Sequence, residues 1–247
     1  MILTLNKQIK MKSVLFAICC ILLMNSHVAA QEYKTITVKA GTRVKDSFPF
    51  SERYLYPEFT KGTVTFKNRI VAPCLFNFNF LSGEIEFIKS KDTLIFTMKK
   101  EIDLIVIAKD SFYCNDTYLQ LLHRGLFSVY LKRGMDIVNI LKQGAMGTVN
   151  RSSASQSYES TESNHISIDL QPVDDMVLKK KDEYFFSFSG NDYLPLNKKN
   201  ILRNLPGMDN EIRSYLKSNR VDFDSRQDVL RLTGFVNNLL EGRPNYR

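Results

Sequence analysis

Apolar and polar positions alternate with a period of two from Tyr33 to about Leu141, the pattern of strands with one buried face. Residues 33–38 open the series, rich in β-branched side chains and closed by Gly41. Residues 62–66 run into a turn at Lys67-Asn68. Within residues 70–80, Cys74, Phe76, Phe78 and Phe80 share one face and Asn77 and Asn79 the other. That spacing predicts a strand with an apolar inner side and a solvated outer side. Ser82-Gly83 turns the chain into residues 84–88, and the polar stretch 89–92 leads to 93–98 and 102–108. Three more extended runs, 111–114, 118–122 and 126–131, are broken at Arg124-Gly125. Turn signals spaced roughly eight to twelve residues apart predict an antiparallel β-meander, barrel- or sandwich-like.

The pattern stops at residue 144. Residues 144–165 are rich in Ser, Thr, Asn, Gln and Glu, and they hold too little apolar surface to offset their ordering entropy. A mobile loop is expected there, an excursion between two paired strands, because residues 166–170 resume the alternation. Residues 184–188 add a strand before the turn at 189–192, so 166–192 reads as further strands of the β-domain that occupies 31–143. From 193 to 247 a small helical segment is expected. Asn197 and Asp209 are placed to cap two short helices, and Asp224 with Gln227 resembles a capping box opening the longest one. Val229, Leu232, Val236 and Leu239 form its apolar stripe, and Gly242 and Pro244 stop it. The fold class is therefore α+β: an antiparallel β-meander followed by amphipathic helices.

Residues 1–30 change the picture, because they read as a secretory signal peptide. Lys7, Lys10 and Lys12 precede the apolar run 14–24, and Val28-Ala29-Ala30 offers small residues for cleavage between Ala30 and Gln31. The run is too short for a permanent membrane span, so no membrane-spanning segment is expected after cleavage. Of the 34 basic residues three lie in the leader, which leaves 31 against 26 acidic ones in the exported part. So mild an excess, without RNP, zinc-finger or helix-turn-helix signatures, argues against nucleic acid as a partner.

Cys19 and Cys20 leave with the leader, and their mid-run position argues against a lipid anchor. In an oxidising compartment the remaining pair, Cys74 and Cys114, invites a disulfide, which would stabilise the fold by about 3–4 kcal/mol. Two separate buried thiols are the rival reading, and spacing alone leaves both standing.

Candidate chemistry is sparse. His123 and His165 belong to no ligand-spaced cluster, so neither a metal nor another cofactor is expected. Asp174-Asp175 supplies too few oxygens for a calcium loop. Ser214 and Lys217 match Ser-x-x-Lys but lack the Ser-Asp-Asn and Lys-Thr-Gly partners that the motif needs, and they face away from the apolar stripe of their helix. A Cys114–His123 nucleophile is explained more simply by packing. The row Phe76, Phe78, Phe80 reads as core rather than as a groove. An outer-membrane barrel is disfavoured by the helical C-terminal segment. No catalytic residue is assigned.

The run 62–94, with Leu81-Ser82-Gly83-Glu84 and Asp92-Thr93-Leu94, resembles an uncharacterised family of secreted proteins from Bacteroidetes-type bacteria. Asn197-Lys198-Lys199-Asn200-Ile201-Leu202 and residues 216–230 resemble it too. The resemblance implies the envelope of a Gram-negative cell and carries over no functional residue. The expectation is an exported protein, periplasmic or extracellular and outer-membrane-associated. Its leading role is a non-enzymatic binding or assembly module for a protein or glycan partner. One alternative is a secreted or periplasmic hydrolase using strand-borne carboxylates such as Glu84, Glu86 and Asp103; another is a structural subunit of an outer-membrane-associated complex.

Overall fold

Short connections force each apolar–polar run to pair with a neighbour, and tight turns make those pairs antiparallel. The computed structural model describes residues 34–143, 149–152, 166–188, 190 and 192–243. The strands are β1 (Thr35–Val38), β2 (Thr60–Phe66), β3 (Val71–Asn79), β4 (Glu84–Lys89), β5 (Asp92–Ile95), β6 (Ile102–Ile107), β7 (Asp110–Asn115) and β8 (Thr117–His123). They continue as β9 (Ser128–Gln143), β10 (Val149–Ser152), β11 (Asp175–Ser187) and β12 (Leu194–Pro195). Helix α1 (Phe50–Arg53) is a single turn, and α2 (Lys198–Asn204), α3 (Asp209–Ser218) and α4 (Arg226–Glu241) follow the last strand. This is the expected α+β class, a β-meander with a C-terminal helical segment.

Sheet order is β1-β11-β9-β8-β7-β6-β2-β3-β4-β5, with β10 beside β9 and β12 beside β11. One step departs from a simple meander. After β5 the chain crosses back, and β6 pairs with β2. Phe96 leads that crossing, its ring centroid 4.5 Å from Phe87 and 6.4 Å from both Phe76 and Phe66. Gly62 is needed where β2 runs between β3 and β6, since a Cβ there would lie 2.2 Å from the Val106 carbonyl oxygen.

The sheet curls. Flat, β11 and β3 would stand six strand spacings of about 4.8 Å apart. Yet Lys180 of β11 lies 4.4 Å from the ring centroid of Phe80, just beyond β3. One core accordingly gathers Val64, Phe76, Phe78, Ile85, Ile105, Phe112, Met135, Met176 and Leu178 from strands across the whole sheet. The seam is filled by two segments distant in sequence: the Val44 and Lys45 amides donate to Leu170 and Ile168, and the Ile166 amide donates to Leu81.

A second core lies under the helices. Phe127, Val129, Leu131, Tyr184 and Phe186 meet Ile201, Leu205, Ile212, Val229, Leu232, Val236 and Leu240. Burial of each large aliphatic side chain here contributes about 1.5–3 kcal/mol before its entropy cost. Asn237 of α4 pins the helix to the sheet: its Oδ1 accepts from the Phe127 amide and its Nδ2 donates to the Phe127 carbonyl, both at 2.9 Å.

Several details correct the sequence reading. The second half of β3 is buried on both faces, because residues 54–58 lie over Asn77 and Asn79. Asn77 accepts from the Tyr56 amide and donates to the Tyr56 and Glu58 carbonyls, standing in for a missing ladder. Residues 166–170 form a turn and seam filler rather than a strand. Within 144–165 the described residues 149–152 are strand β10; the rest of that stretch lies outside the described residues. Asn197 caps α2 as expected, accepting from the Asn200 amide. The other caps shift by one: Met208 precedes α3, and the Ser225 hydroxyl caps α4.

Candidate functional site

Register puts Asn77 opposite Glu86 and Asn79 opposite Glu84, so these four polar residues share one face of the β3–β4 hairpin. That face is covered by residues 53–56. The Tyr54 hydroxyl donates to Glu86 Oε2 at 2.6 Å, and Asn79 Nδ2 donates to Glu86 Oε1 at 2.7 Å. Arg53 donates to the Tyr54 hydroxyl at 2.8 Å and lies 4.6 Å from the ring centroid. Burial, then the Glu86 carboxylate, pushes the Tyr54 phenol up to about 12. Both Glu86 oxygens are engaged, Oε2 tying β4 to the segment before β2 and Oε1 tying it to β3. Glu84 is engaged too, in an ion pair with Lys99, whose Nζ lies 5.6 Å from the Tyr118 ring centroid. Asp103 is elsewhere. It is the extra residue of a bulge between the pairs Thr65–Leu104 and Phe66–Ile102, exposed and three strands from β4. The three strand carboxylates singled out from sequence are thus not brought into one cleft.

Cys74 and Cys114 are both free thiols, which corrects the disulfide reading. Cys74 on β3 lies opposite Gly62, Gly62 opposite Ile107, and Ile107 opposite Asp110, so β3 and β7 are three strand spacings apart. A disulfide needs Cα atoms within about 7 Å, and three spacings of about 4.8 Å exceed that. The Cys74 thiol instead donates to the Ile88 carbonyl at 3.0 Å. Burial pushes the Cys114 thiol up to about 11, against the pull of Lys99.

His123 is exposed at the end of β8, and Ser214 and Lys217 are exposed on α3. Asp175 closes the sheet edge by accepting from Lys39 Nζ at 2.7 Å and the Ala40 amide at 2.9 Å, bonds that hold its carboxyl below the usual range. Cys19, Cys20, Ala30, Gln31 and His165 lie outside the described residues. Among the described residues no group of three or more His, Cys, Asp or Glu side chains is placed to hold a metal ion.

Two arrangements escaped the sequence reading. The first is a polar belt on the inner face, between the two cores. Arg133 pairs with Asp182 there, while Cys114 and Tyr118, paired on neighbouring strands, are polar groups of the first core itself. Lys180 adds an ion pair with Glu52 at 3.0 Å. Burial raises the Tyr118 phenol well above its ordinary value. No signal in the period-two pattern separates such inward polar residues from outward ones.

The second is the end of the sheet formed by the turns 67–70, 89–92 and 115–117 with residues 97–101. Ile70, Val71 and Met98 are exposed there, among Lys67, Arg69, Lys89, Lys91 and Lys100, and Leu94 and Ile95 are exposed further along the edge strand β5. A shallow depression of about 360 Å³ lies between residues 97–101 and Asp116. Strand-flanking aliphatics give little warning of this, since such residues ordinarily begin a buried strand. Among the described residues no helix is long and apolar enough to cross a membrane. No family model, curated protein or solved structure matches this chain.

Proposed function

We propose that the chain is an exported cell-envelope protein that acts by binding, with its curled sheet as the binding element. The observation that carries this reading is the exposure of aliphatic side chains at one end of the sheet, Ile70, Val71 and Met98, and on the adjoining outer face, Leu75 and Ile95. Isolated exposed aliphatics are ordinary on a protein surface, whereas a contiguous group bordered by charge marks an interaction site. The signal-peptide pattern of residues 1–30 and the resemblance to secreted proteins of Bacteroidetes-type bacteria support an envelope location. The engagement of Glu84 and Glu86 in structural contacts favours binding over hydrolysis.

A second reading, a structural subunit of an envelope assembly, is favoured by β5. It is an edge strand, exposed along its length and open to pairing with another chain. Purified protein from Gln31 onward should leave glycosidic, ester and peptide substrates intact and should sediment with detergent-extracted envelope material. Leu75→Ser with Ile95→Ser should weaken that sedimentation. Turnover of any of those substrates would overturn the binding reading. Recovery from native envelopes in fixed stoichiometry with neighbours would favour the assembly subunit.

A further inference from the structure

Three tight turns and one 3₁₀ turn converge on a single end of the sheet. Phe66 pairs with Ile102, and the Lys67 amide donates to the Glu101 carbonyl at 2.9 Å, which ties the β2–β3 turn to residues 98–101. Asp116, in the β7–β8 turn, borders the same depression as Met98 and Lys100. The β4–β5 turn is held beside β3 by the Cys74–Ile88 contact. Arg69, Ser90 and Asp116 adopt left-handed backbone conformations, with φ of 67°, 60° and 56°, so each turn is sharp and its shape fixed.

What these turns display is unusual for a solvated surface. Met98 is 72% exposed, Ile70 58% and Val71 57%. Around them stand five exposed cations, Lys67, Arg69, Lys89, Lys91 and Lys100, against four carboxylates, Asp92, Glu101, Asp103 and Asp116. Among the described residues no carboxylate lies within ion-pair range of those five cations. Ile70 lies on a turn, Val71 at the first position of β3 and Met98 on the rim of a shallow depression, so they fit a soft, planar partner better than a protrusion from another protein. Aliphatic tips inside a basic ring are suited to entering the boundary between lipid headgroups and acyl chains while the cations meet phosphate.

We infer that this end of the sheet docks onto an anionic lipid surface, with Ile70, Val71 and Met98 entering the interface and the ring of Lys67, Arg69, Lys89, Lys91 and Lys100 facing headgroup phosphates. This rests on the binding reading above and names its partner. A purely polyanionic partner would use the cations and gain nothing from the aliphatic tips. The bilayer uses both.

The test is co-sedimentation of the protein from Gln31 onward with phosphatidylglycerol–phosphatidylethanolamine vesicles, against phosphatidylcholine vesicles. Preferential binding to the anionic vesicles is expected, weakened at least about tenfold by Ile70→Ser with Met98→Ser, and weakened by Lys67→Gln with Arg69→Gln and Lys100→Gln. Leu230→Ser, on an exposed position of α4, should leave binding unchanged. Unaltered circular dichroism and melting midpoint in each variant separate lost docking from lost fold. Equal binding to both vesicle types, or none, overturns the inference. Salt-sensitive binding that survives serine at 70 and 98 also overturns it and assigns the end to a polyanion. Self-association that is lost with the same serines, without vesicle binding, assigns it to a second copy. Failure here with sedimentation on detergent-extracted envelope material intact leaves the binding reading standing, whereas failure of both removes it.

Discussion

Removing the Asn237 carboxamide should weaken the joint between the helical segment and the sheet. Asn237 is buried and joins two parts of the chain 110 residues apart, satisfying both the amide and the carbonyl of Phe127. In Asn237→Ala those two backbone groups stay buried and lose their partners, at roughly 1–3 kcal/mol for each unsatisfied group. The bond to Thr233 adds little, since that carbonyl also belongs to the helix ladder. A loss of about 3 kcal/mol follows. For a domain of this size it lowers the melting midpoint by about 6–12 °C. Urea unfolding followed by circular dichroism should show a lower midpoint with an unchanged slope.

Gly125 makes the reasoning stricter. A Cβ at that position would lie 2.5 Å from Asn237 Oδ1 and 2.9 Å from its Cγ. Gly125→Ala should therefore push the carboxamide out of its site and cost a comparable amount. In the Asn237→Ala background the clash is gone, so the same substitution should cost under about 0.5 kcal/mol. The cycle should then return a coupling of at least about 1.5 kcal/mol. Additive effects, or an Asn237→Ala protein within 1 kcal/mol of the parent, would refute the role given to this side chain.

Gly62→Ala should cost about 3 kcal/mol or more, read by urea midpoint, because its Cβ meets the Val106 carbonyl and the Phe76 ring, at 2.2 and 2.9 Å. Stability should fall as pH rises from about 10 to about 12: unfolded phenols ionise near 10, whereas burial holds those of Tyr54 and Tyr184 near 12, so the unfolded state binds fewer protons across that window. Phenol ionisation complete below about pH 11 with native circular dichroism intact would contradict this, and Tyr54→Phe should flatten the fall. Protein from Gln31 onward should keep the mass of two free thiols after air oxidation, Cys114 reacting slowly until denatured. A mass lower by two hydrogens would restore the disulfide.

How far the sequence reached depends on whether a feature is local. Turn residues and period-two runs located β1 to β8 and parts of β9 and β11, because alternation is a local property of the backbone, whereas β10, β12 and most of β11 fell in stretches that read as loop, connection or helix. Asn197 was legible as a cap for the same reason. The face parity of β3 was also correct, with Phe76 and Phe78 inward and Asn77 and Asn79 opposite. What alternation could not supply was the cover. Residues 54–58 arrive from upstream, and only against them does Asn77 become a structural hydrogen-bonding group. The partner of β6 was illegible as well. A connection as short as 96–101 suggests pairing with β5, yet Phe96 packs into the Phe76–Phe87 cluster and carries the chain across to β2. Ile70 and Met98 read as strand residues, so their exposure at the end of the sheet had no local signature.

The long β9–β11 ribbon explains why the helices belong with the sheet. Met135, Met176 and Leu178 face the first core, and Val129, Leu131, Tyr184 and Phe186 face the second, all from one side of the same two strands. Apolar surface on that side cannot be shared out between independent units, since taking the helices away would leave Val129, Leu131 and Phe186 in water. The polar belt of Arg133, Asp182 and Lys180 marks where one core gives way to the other along the ribbon. Strand β8 fixes the geometry of the consequence. It starts at the Asp116 turn and ends at the loop that Asn237 grips, so the helices close one end of the sheet and leave the opposite end uncovered. Aliphatic side chains exposed at the helix end would simply be buried by α4. Those at the far end, Ile70, Val71 and Met98, have no element of the described chain to cover them, which is why the docking test is aimed at that end.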